Sequence, residues 1–430
     1  MIPSARISAA TEILADIAER RRPAAESLKD WGQRHRFAGS KDRASIASHV
    51  YDALRVRASA AWLMGEDTPR AIVLGSLRLM RDLDADAIAA LCNGETHAPA
   101  PLSENEAQRL REGTLDGAPD HVRGDYPEWL AEHFAAAFGE QAVPEGRALA
   151  GRAPVDLRVN RLKGDRDKAA KMLAHLEPEE TPLSPLGLRL KTGPDGRGPS
   201  LSAEPGYVRG FVEIQDEGSQ IAALIAGAKP GMQVLDLCAG GGGKTLAMAA
   251  EMDNKGQIYA TDSDGRRLMP IYPRLERANV RNVQVRAPKG ATDVLADCER
   301  RCDLVLVDAP CTGTGTWRRN PDAKWRTRPG ALEQRISEQD EVLERAEKYV
   351  KQGGVLAYVT CSLLRAENED RIDAFLAAHG DFLPLDAAHV ARRAGLPQLV
   401  EHASPHGAGL RLSPRTSGTD GFYVALLLRS

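Results

Sequence analysis

The sequence predicts an α/β protein with a doubly wound parallel sheet, preceded by a small α/β module and by an all-helical region at the N-terminus. From about residue 213 onward, short apolar runs alternate with helical patterns, which is the rhythm of parallel strands connected by helices. Before residue 95, apolar residues recur at helical spacing instead. With 430 residues, the chain is long enough for two or three domains.

The first region, residues 1–95, is predicted to be a compact helical bundle. Ile13 and Ile17 are four residues apart, as are Ile46 and Val50, so each pair lies on one face of a helix. Breaks are expected at 22–23, 37–40 and 66–69, where proline or glycine occurs. The polar stretch 93–105 is predicted to be a connector.

The second region, residues 125–212, is predicted to be a small α/β module. The alternating stretches 155–159 and 186–191 predict strands, and the amphipathic stretch 165–176 predicts a helix between them. An earlier helix is predicted from Tyr126 to about Phe138. Residues 193–206 are rich in glycine and proline, which indicates a loop.

The third region, residues 213–430, carries the predicted doubly wound sheet. Strands are predicted at 233–237, 257–262, 283–286, 303–308, 355–360 and 420–429, and a helix at 245–252. Ligands of such sheets bind at the carboxyl ends of the strands. The residues at these ends are therefore the candidates for a functional site.

Bulk composition excludes several classes of protein. The formal net charge is only −3, so a surface that binds nucleic acid must be local. No apolar run approaches the ~18 residues that a membrane span requires. The six cysteines show no disulfide spacing, which favours a reducing, cytoplasmic setting. Cys298 and Cys302 have no second pair nearby, so we predict no metal site, and we expect a monomer.

Two segments are locally basic. Residues 1–60 contain eleven Lys and Arg against seven Asp and Glu, and residues 311–330 contain five against one. Such patches contact phosphates, although solvated helix faces explain the first segment as well. In the second segment Trp317 and Trp325 are interleaved with cations, which suits stacking on nucleic-acid bases. The alternative is that both tryptophans are core residues.

A glycine-rich segment, residues 236–245, follows the first strand of the third region and opens a helix. Glycines let a ligand approach the backbone closely, and the helix start offers free N–H groups. Asp262 ends the next strand, where a carboxylate typically binds ribose hydroxyls. The pattern predicts an adenosine-type cofactor, and a dehydrogenase fits it almost as well. A phosphate-binding loop does not fit, because Cys238 stands where that motif requires its first glycine.

Two cysteines follow strands of the same predicted sheet. Cys311 ends the segment Asp308-Ala-Pro-Cys311, and Cys361 lies between Thr360 and Ser362. A carboxylate at the position of Asp308 can share a proton with a ring nitrogen of a base. A thiolate that adds to carbon 6 of cytosine makes carbon 5 nucleophilic enough to accept a methyl group. Beside the glycine segment, these residues favour methyl transfer from S-adenosylmethionine over a purely structural role for Cys361.

These segments resemble the RNA cytosine-C5 methyltransferases of the Sun/Fmu type, the ribosomal RNA branch known as RsmB. The family patterns Asp-x-Cys-Ala-Ala-Pro-Gly-Gly-Lys-Thr, Asp-Ala-Pro-Cys-Ser-Gly-x-Gly and Thr-Cys-Ser are similar to residues 236–245, 308–315 and 360–362. Segments 215–219, 418–422 and 153–160 also resemble parts of the family. The first 95 residues resemble, more loosely, its helical NusB-like RNA-binding domain. The resemblance implies a Rossmann-like methyltransferase domain over residues 213–430.

The resemblance also implies a role for each matching residue. Cys361 would be the nucleophile, Cys311 would assist release of the enzyme, and Asp308 would engage the cytosine ring; Lys244 is counted with them as catalytic. The cofactor would be bound by Asp262, Asp308 and a loop of seven residues, namely Cys238, Ala239, Gly240, Gly241, Gly242, Gly243 and Lys244. The expected reaction is methylation of carbon 5 of a cytosine in RNA, with S-adenosylmethionine as cofactor and small-subunit (16S) ribosomal RNA as substrate.

The sequence departs from the family patterns at two places. Gly240 and Gly241 replace the usual Ala-Pro, which should loosen the cofactor loop. Arg286 and Ala287 stand where an acid usually follows the third strand, and Asp293 is a poorly placed substitute for the adenine contact.

Two rival functions remain beside the expected one. A transfer RNA methyltransferase of the same chemistry is disfavoured by the helical N-terminus. A non-catalytic RNA-binding ribosome assembly factor is disfavoured by the intact Cys311, Cys361 and Asp308.

Overall fold

The computed structural model describes residues 1–193, 198–290 and 292–430. Contacts between residues divide the chain into two compact units. The first contains Met1–Ala153 and Trp317–Pro329, and the second contains Pro154–Thr192, Gly198–Thr316 and Gly330–Ser430. The loop predicted at 193–206 lies partly outside the described residues, since it includes 194–197.

The first unit is helical, as predicted, and the predicted breaks at 22–23, 37–40 and 66–69 fall between its helices. Pro69 begins one helix after Thr68, whose hydroxyl accepts a hydrogen bond from the N–H of Ala71. Ile13, Ile46 and the other apolar residues of the predicted helix faces are buried in one core. The α-helices are Pro3–Arg20, Ala24–Arg34, Ser40–Arg55, Arg57–Met64, Pro69–Arg81, Ala85–Leu91, Glu104–Glu112, Asp120–Arg123, Ala131–Phe138, Ala142–Ala150 and Ala323–Arg326.

The segment Trp317–Pro329 packs inside this helical unit. Trp317 is 1% exposed, and its ring stacks on Phe134 with centroids 5.8 Å apart. The base-stacking role predicted for Trp317 is therefore wrong, and the core alternative is correct. A large indole gains more from burial beside another ring than from exposure to water.

Polar contacts fix the same segment. The side-chain nitrogen of Lys324 is buried and donates to the carbonyls of Arg55 at 2.7 Å and Asp125 at 2.6 Å. The indole N–H of Trp325 donates to the carbonyl of Leu54 at 2.6 Å. These three hydrogen bonds from Lys324 and Trp325 satisfy helix-end and loop carbonyls that would otherwise be buried without partners.

The second unit begins with the predicted small module. Its strands are β1 (Val155–Val159), β2 (Glu179–Glu180), β3 (Gly187–Leu190) and β4 (Val212–Ile214), and they pair in the order β2–β3–β1–β4. Every pairing in this sheet is antiparallel. The module's helices are Arg166–Met172 and Pro205–Val208.

The main sheet has the order β10–β12–β9–β8–β5–β6–β7. Its strands are β5 (Gln233–Asp236), β6 (Gln257–Ala260), β7 (Val283–Val285), β8 (Cys302–Asp308), β9 (Val350–Thr360), β10 (Phe382–Pro384), β11 (Leu410–Leu412) and β12 (Phe422–Arg429). From β7 to β9 neighbouring strands are parallel, which confirms the predicted doubly wound sheet. The last strand, β12, runs antiparallel to both of its neighbours, β9 and β10, and mixed sheets of this kind are common among large α/β folds.

Helices cover both faces of the main sheet, which buries apolar residues on each side. They are Glu217–Ala226, Gly243–Glu251, Gly265–Leu268, Ile271–Ala278, Pro329–Glu347, Glu369–Ala378 and Ala387–Ala394. None of the helices in the described ranges combines the length and the hydropathy needed to cross a membrane.

Candidate active site

The strand order reverses between β5 and β8, and two oppositely charged residues meet there. Strands β6 and β7 lie on one side of β5, whereas β8 and β9 lie on the other. Lys244, in the helix after β5, donates to Asp308 at the end of β8, with 2.7 Å between Nζ and Oδ2. The Lys244 side chain is 9% exposed and that of Asp308 is 34% exposed. The carboxylate therefore has an accessible edge, and the ammonium lies behind it. A crevice at such a reversal is the usual ligand site of these sheets.

The two thiols of the predicted site are brought into contact. The Sγ atoms of Cys311 and Cys361 are 3.4 Å apart, and both side chains are half-buried. The hydrogen bond with Cys361 and burial raise the pKa of the Cys311 thiol well above its usual range, and the charge of Glu367 adds to the effect. Cys311 therefore keeps its proton at neutral pH and can donate it toward Cys361.

Glu367 connects the two loops that carry these cysteines through hydrogen bonds. Its buried carboxylate accepts hydrogen bonds from the N–H of Thr312 at 2.8 Å and from the Thr312 hydroxyl. It also accepts from the hydroxyl of Ser362 and from Gln339 Nε2, the latter at 3.1 Å. Glu367 was not identified as a site residue from the sequence, since no motif marks it. It ends the 3₁₀ helix Arg365–Glu367.

Backbone contacts join the same loops further. The N–H of Gly315 donates to the carbonyl of Cys361 at 2.9 Å, and the N–H of Gly421 donates to the carbonyl of Gly315 at 2.8 Å. A Cβ on Gly315 would lie 2.3 Å from the Gly421 oxygen, so only glycine allows this approach. The segment 418–422 is thereby packed against the Cys311 loop.

The predicted cofactor loop lies between β5 and the helix Gly243–Glu251. Gly240 and Gly242 have φ angles of +49° and +80°, which glycine adopts at least cost. Asp262, which is 2% exposed, accepts from the N–H of Gly240 at 3.0 Å. Its other oxygen accepts from Arg267 at 3.2 Å. A hydrogen bond from the loop therefore positions Asp262, which was predicted to bind the cofactor together with this loop.

The residues around this loop fit S-adenosylmethionine. A carboxylate oxygen can accept more than one hydrogen bond, so Asp262 retains acceptor capacity for ribose hydroxyls. Asp236 Oδ2 accepts from Thr245 at 2.6 Å, whereas its buried Oδ1 has no partner among the described residues. Burial raises the pKa of Asp236 to about 7 and also raises the pKa of the Cys238 thiol. The loop thus contains a thiol that stays protonated, and the unpartnered Asp236 oxygen lies buried at the end of β5, just before the loop in the sequence.

Asp293, the substitute considered for an adenine contact, is used locally. Its Oδ1 accepts from the N–H of Leu295 at 2.9 Å, within its own turn. Arg286, at the position of the missing acid, pairs with Asp297 at 2.8 Å.

The Rossmann-like sheet, the glycine loop and the paired thiols define a methyltransferase-type catalytic domain. The model of the 16S rRNA methyltransferase RsmB/F family matches residues 223–428, and that of the RsmF/B-like ferredoxin-like domain matches residues 126–195. The ribosomal RNA small subunit methyltransferase B of Sodalis glossinidius is 30% identical over 90% of both chains. A probable enzyme of the same name from Synechocystis is 32% identical over 71% of this chain and 67% of its own.

A solved structure agrees with these relatives. A methyltransferase homolog protein from Pyrococcus horikoshii is 27% identical, with a TM-score of 0.59, and the match covers 72% of this chain and 98% of that one. The chain belongs to the ribosomal RNA small subunit methyltransferase B family. It is a ribosomal RNA methyltransferase. Membership of this family confirms the predicted cofactor, S-adenosylmethionine.

Proposed function

We propose that this protein methylates carbon 5 of a cytosine in small-subunit ribosomal RNA through a covalent adduct between Cys361 and carbon 6. The observation that carries the proposal is the 3.4 Å contact between the thiols of Cys311 and Cys361. A methyltransferase that acts on a nucleophilic nitrogen or oxygen needs no thiol, whereas carbon 5 of cytosine needs a covalent nucleophile.

Cys361 is assigned as the nucleophile because it lies in the segment Thr360-Cys361-Ser362, whose cysteine has that role in the family that the chain resembles. The raised pKa of Cys311 disfavours its thiolate, and its S–H can stabilise a thiolate on Cys361. The attack forms a bond between Cys361 Sγ and carbon 6, and the electrons of the 5,6 double bond move into the ring. Ring nitrogen 3 becomes more basic in this step.

Asp308 and Lys244 are assigned to that ring nitrogen. The partly exposed carboxylate of Asp308 can accept a hydrogen bond from a protonated nitrogen 3. The Lys244 ammonium, 2.7 Å from Asp308, is the adjacent proton source. The pair therefore stabilises the electron-rich adduct.

The remaining steps return the enzyme to its starting state. When bound, S-adenosylmethionine would supply the methyl group that carbon 5 receives and would leave as S-adenosylhomocysteine. A base then removes the proton from carbon 5, the double bond re-forms and the bond between Cys361 and carbon 6 breaks. Cys311, which touches Cys361, is assigned to assist this release. The cofactor is held by Asp262, Asp308 and residues 238–244.

The domain roles follow from the same proposal. Residues 213–430 form the catalytic domain, residues 125–212 the small module, and residues 1–95 an RNA-binding domain. The first residues of the chain support this assignment through their excess of Lys and Arg. The boundary at 125 stays a prediction: the ferredoxin-like family model begins at 126, whereas contacts group residues 126–153 with the helical unit.

The roles of the two thiols are tested by trapping protein on RNA. Cys311→Ala should accumulate a complex with a small-subunit ribosomal RNA transcript that survives a denaturing gel, since addition proceeds and release is impaired. Cys361→Ala should form no such complex and should show no turnover. Cys302→Ala removes a buried thiol of β8 outside the site and should behave like wild type. A complex that forms in Cys361→Ala but not in Cys311→Ala would reverse the assignment.

A further inference from the structure

The cofactor loop of this chain is held by a side chain from outside the loop, which no sequence motif indicates. Three adjacent glycines, Gly240, Gly241 and Gly242, form its centre, and glycine loses more backbone freedom on ordering than any other residue. The family pattern has proline where Gly241 stands, and proline restricts the backbone by itself. A loop of glycines needs another source of order if it is to be ready for a ligand.

Arg274 contacts the backbone of this loop directly. It lies on the helix Ile271–Ala278, and its Nη1 donates to the carbonyl of Gly241 at 2.6 Å. A Cβ at position 241 would lie 3.3 Å from the same nitrogen, so the guanidinium occupies the space next to the missing side chain. The contact is a charge-assisted hydrogen bond to a backbone group, which is stronger than a neutral one.

The guanidinium of Arg274 is itself fixed by a buried carboxylate. Glu213, on β4 of the small module, is 2% exposed, and its Oε2 accepts from Nε and Nη2 of Arg274 at 3.3 and 3.1 Å. Its other oxygen accepts from Arg277, one turn further along the helix, at 2.6 Å. Each arginine directs two donors at a single oxygen of Glu213, which restricts the orientation of both guanidinium groups.

We propose that Arg274, held by Glu213, is a positioning residue that keeps the Gly240–Gly242 loop in the shape that binds S-adenosylmethionine. The inference rests on the proposed assignment of this loop as part of the cofactor site. The inference also gives the small module a part in cofactor binding, because its strand β4 supplies Glu213, the carboxylate that holds Arg274. Arg274 takes over the restriction that proline provides in the family pattern.

The test measures binding of S-adenosylmethionine and of S-adenosylhomocysteine by isothermal titration calorimetry. Arg274→Ala should bind both about tenfold more weakly, the loss expected for one charge-assisted hydrogen bond. The matched control is Arg277→Ala, which removes the other partner of Glu213 without touching the loop and should bind within about twofold of wild type. Glu213 keeps one arginine in either variant, so neither leaves a buried charge unpaired.

A second variant separates loop order from the hydrogen bond itself. Gly241 has a negative φ that alanine also adopts, and without the arginine its Cβ has room. Gly241→Ala added to Arg274→Ala should therefore recover affinity by about twofold to fivefold, because alanine restricts the free loop. Wild-type affinity in Arg274→Ala, an equal loss in Arg277→Ala or no recovery in the double variant would each overturn the proposal. RNA takes no part in these titrations. A wild-type enzyme that failed to methylate cytosine would therefore count against the proposed function and not against the role of Arg274.

Discussion

At the scale of single residues, the chemistry depends on small differences between two neighbouring cysteines. Cys311 and Cys361 are both half-buried and in contact, yet Glu367 is bonded to the residue after each of them. A negative charge near one thiol disfavours its ionisation, which keeps the Cys311 proton in place. One buried carboxylate thus fixes the positions of both loops and adds to the effect of Cys361 and burial, which raise the pKa of Cys311.

Replacing Glu367 with glutamine should lower the pKa of Cys311, because the nearby negative charge is removed. In a Cys361→Ala background, site-resolved iodoacetamide labelling of Cys311 should therefore begin at lower pH in Glu367→Gln. With Cys361 present, kcat should fall about tenfold or more and KM should change little, since the amide cannot accept all four hydrogen bonds.

The matched control for this prediction is Glu369→Gln. Glu369 is equally buried two residues further on, and its carboxylate accepts from Ser404 instead of the cysteine loops. Unchanged labelling of Cys311 in Glu367→Gln, or an equal shift in Glu369→Gln, would contradict the role given to Glu367.

Sequence patterns could locate the chemical groups at this scale but not the residues that orient them. Asp308, Cys311 and Cys361 are recognisable because each follows an apolar strand. Glu367 and Arg274 carry no such signal, because acids and bases at the starts and faces of helices are common for other reasons. Their roles depend on which distant loops pack beside them.

At the scale of elements, most strands were predicted from the sequence, whereas the short strands β2, β4, β10 and β11 and the packing of the segment after Cys311 were not. The central strands β5 and β8 are short apolar runs with most side chains buried, which gives them a clear pattern. In Trp317–Pro329, by contrast, alternating tryptophans and cations suggested an exposed surface. Its contacts lie with helices some 200 residues or more earlier in the chain, as in the Lys324 to Asp125 bond, and local patterns carry no information about them.

The buried lysine of that segment predicts how stability responds to pH. Burial lowers the pKa of Lys324 from 10.5 to about 7, whereas Asp125 opposes the shift and Arg55 adds to it. Between these two pKa values Lys324 is protonated in the unfolded chain and neutral in the folded chain. The free energy of unfolding therefore increases as the pH rises. The melting temperature of wild type relative to Lys324→Met should therefore increase from pH 7 to pH 10.

Arg326→Met, in the same short helix, provides the control for that comparison. Arg326 pairs with Asp322 at 3.0 Å, and guanidinium groups are not deprotonated in proteins, so the difference of this variant from wild type should not change with pH. A Lys324→Met difference that is constant or shrinks as pH rises would show that Lys324 is charged in the folded protein.

At the scale of the whole molecule, the segment Trp317–Pro329 affects how the N-terminal region can be studied. Trp325 donates to the carbonyl of Leu54 and Lys324 to that of Arg55, so a chain that begins near residue 125 would lose both acceptors. Loss of RNA affinity in such a chain would mix a binding defect with a packing defect. Single replacements of exposed arginines in residues 1–60 are the cleaner test of the proposed RNA-binding role.

The class of the protein was accessible from sequence at this scale, because three separate motifs had to fall at the carboxyl ends of one sheet. The grouping of residues 126–153 with the helical unit was not, since those helices have amphipathic patterns that suit either neighbour. Family membership then identifies ribosomal RNA as the substrate class, and the position of the methyl group is left to the site chemistry.

The most direct test of the account is to identify the nucleoside that receives the methyl group. Small-subunit ribosomal RNA is incubated with the enzyme and S-adenosylmethionine labelled in its methyl group, digested to nucleosides and analysed by mass spectrometry. The account predicts label in 5-methylcytidine with wild-type protein and none with Cys361→Ala. Label in any other nucleoside, or in 5-methylcytidine with Cys361→Ala, would contradict it.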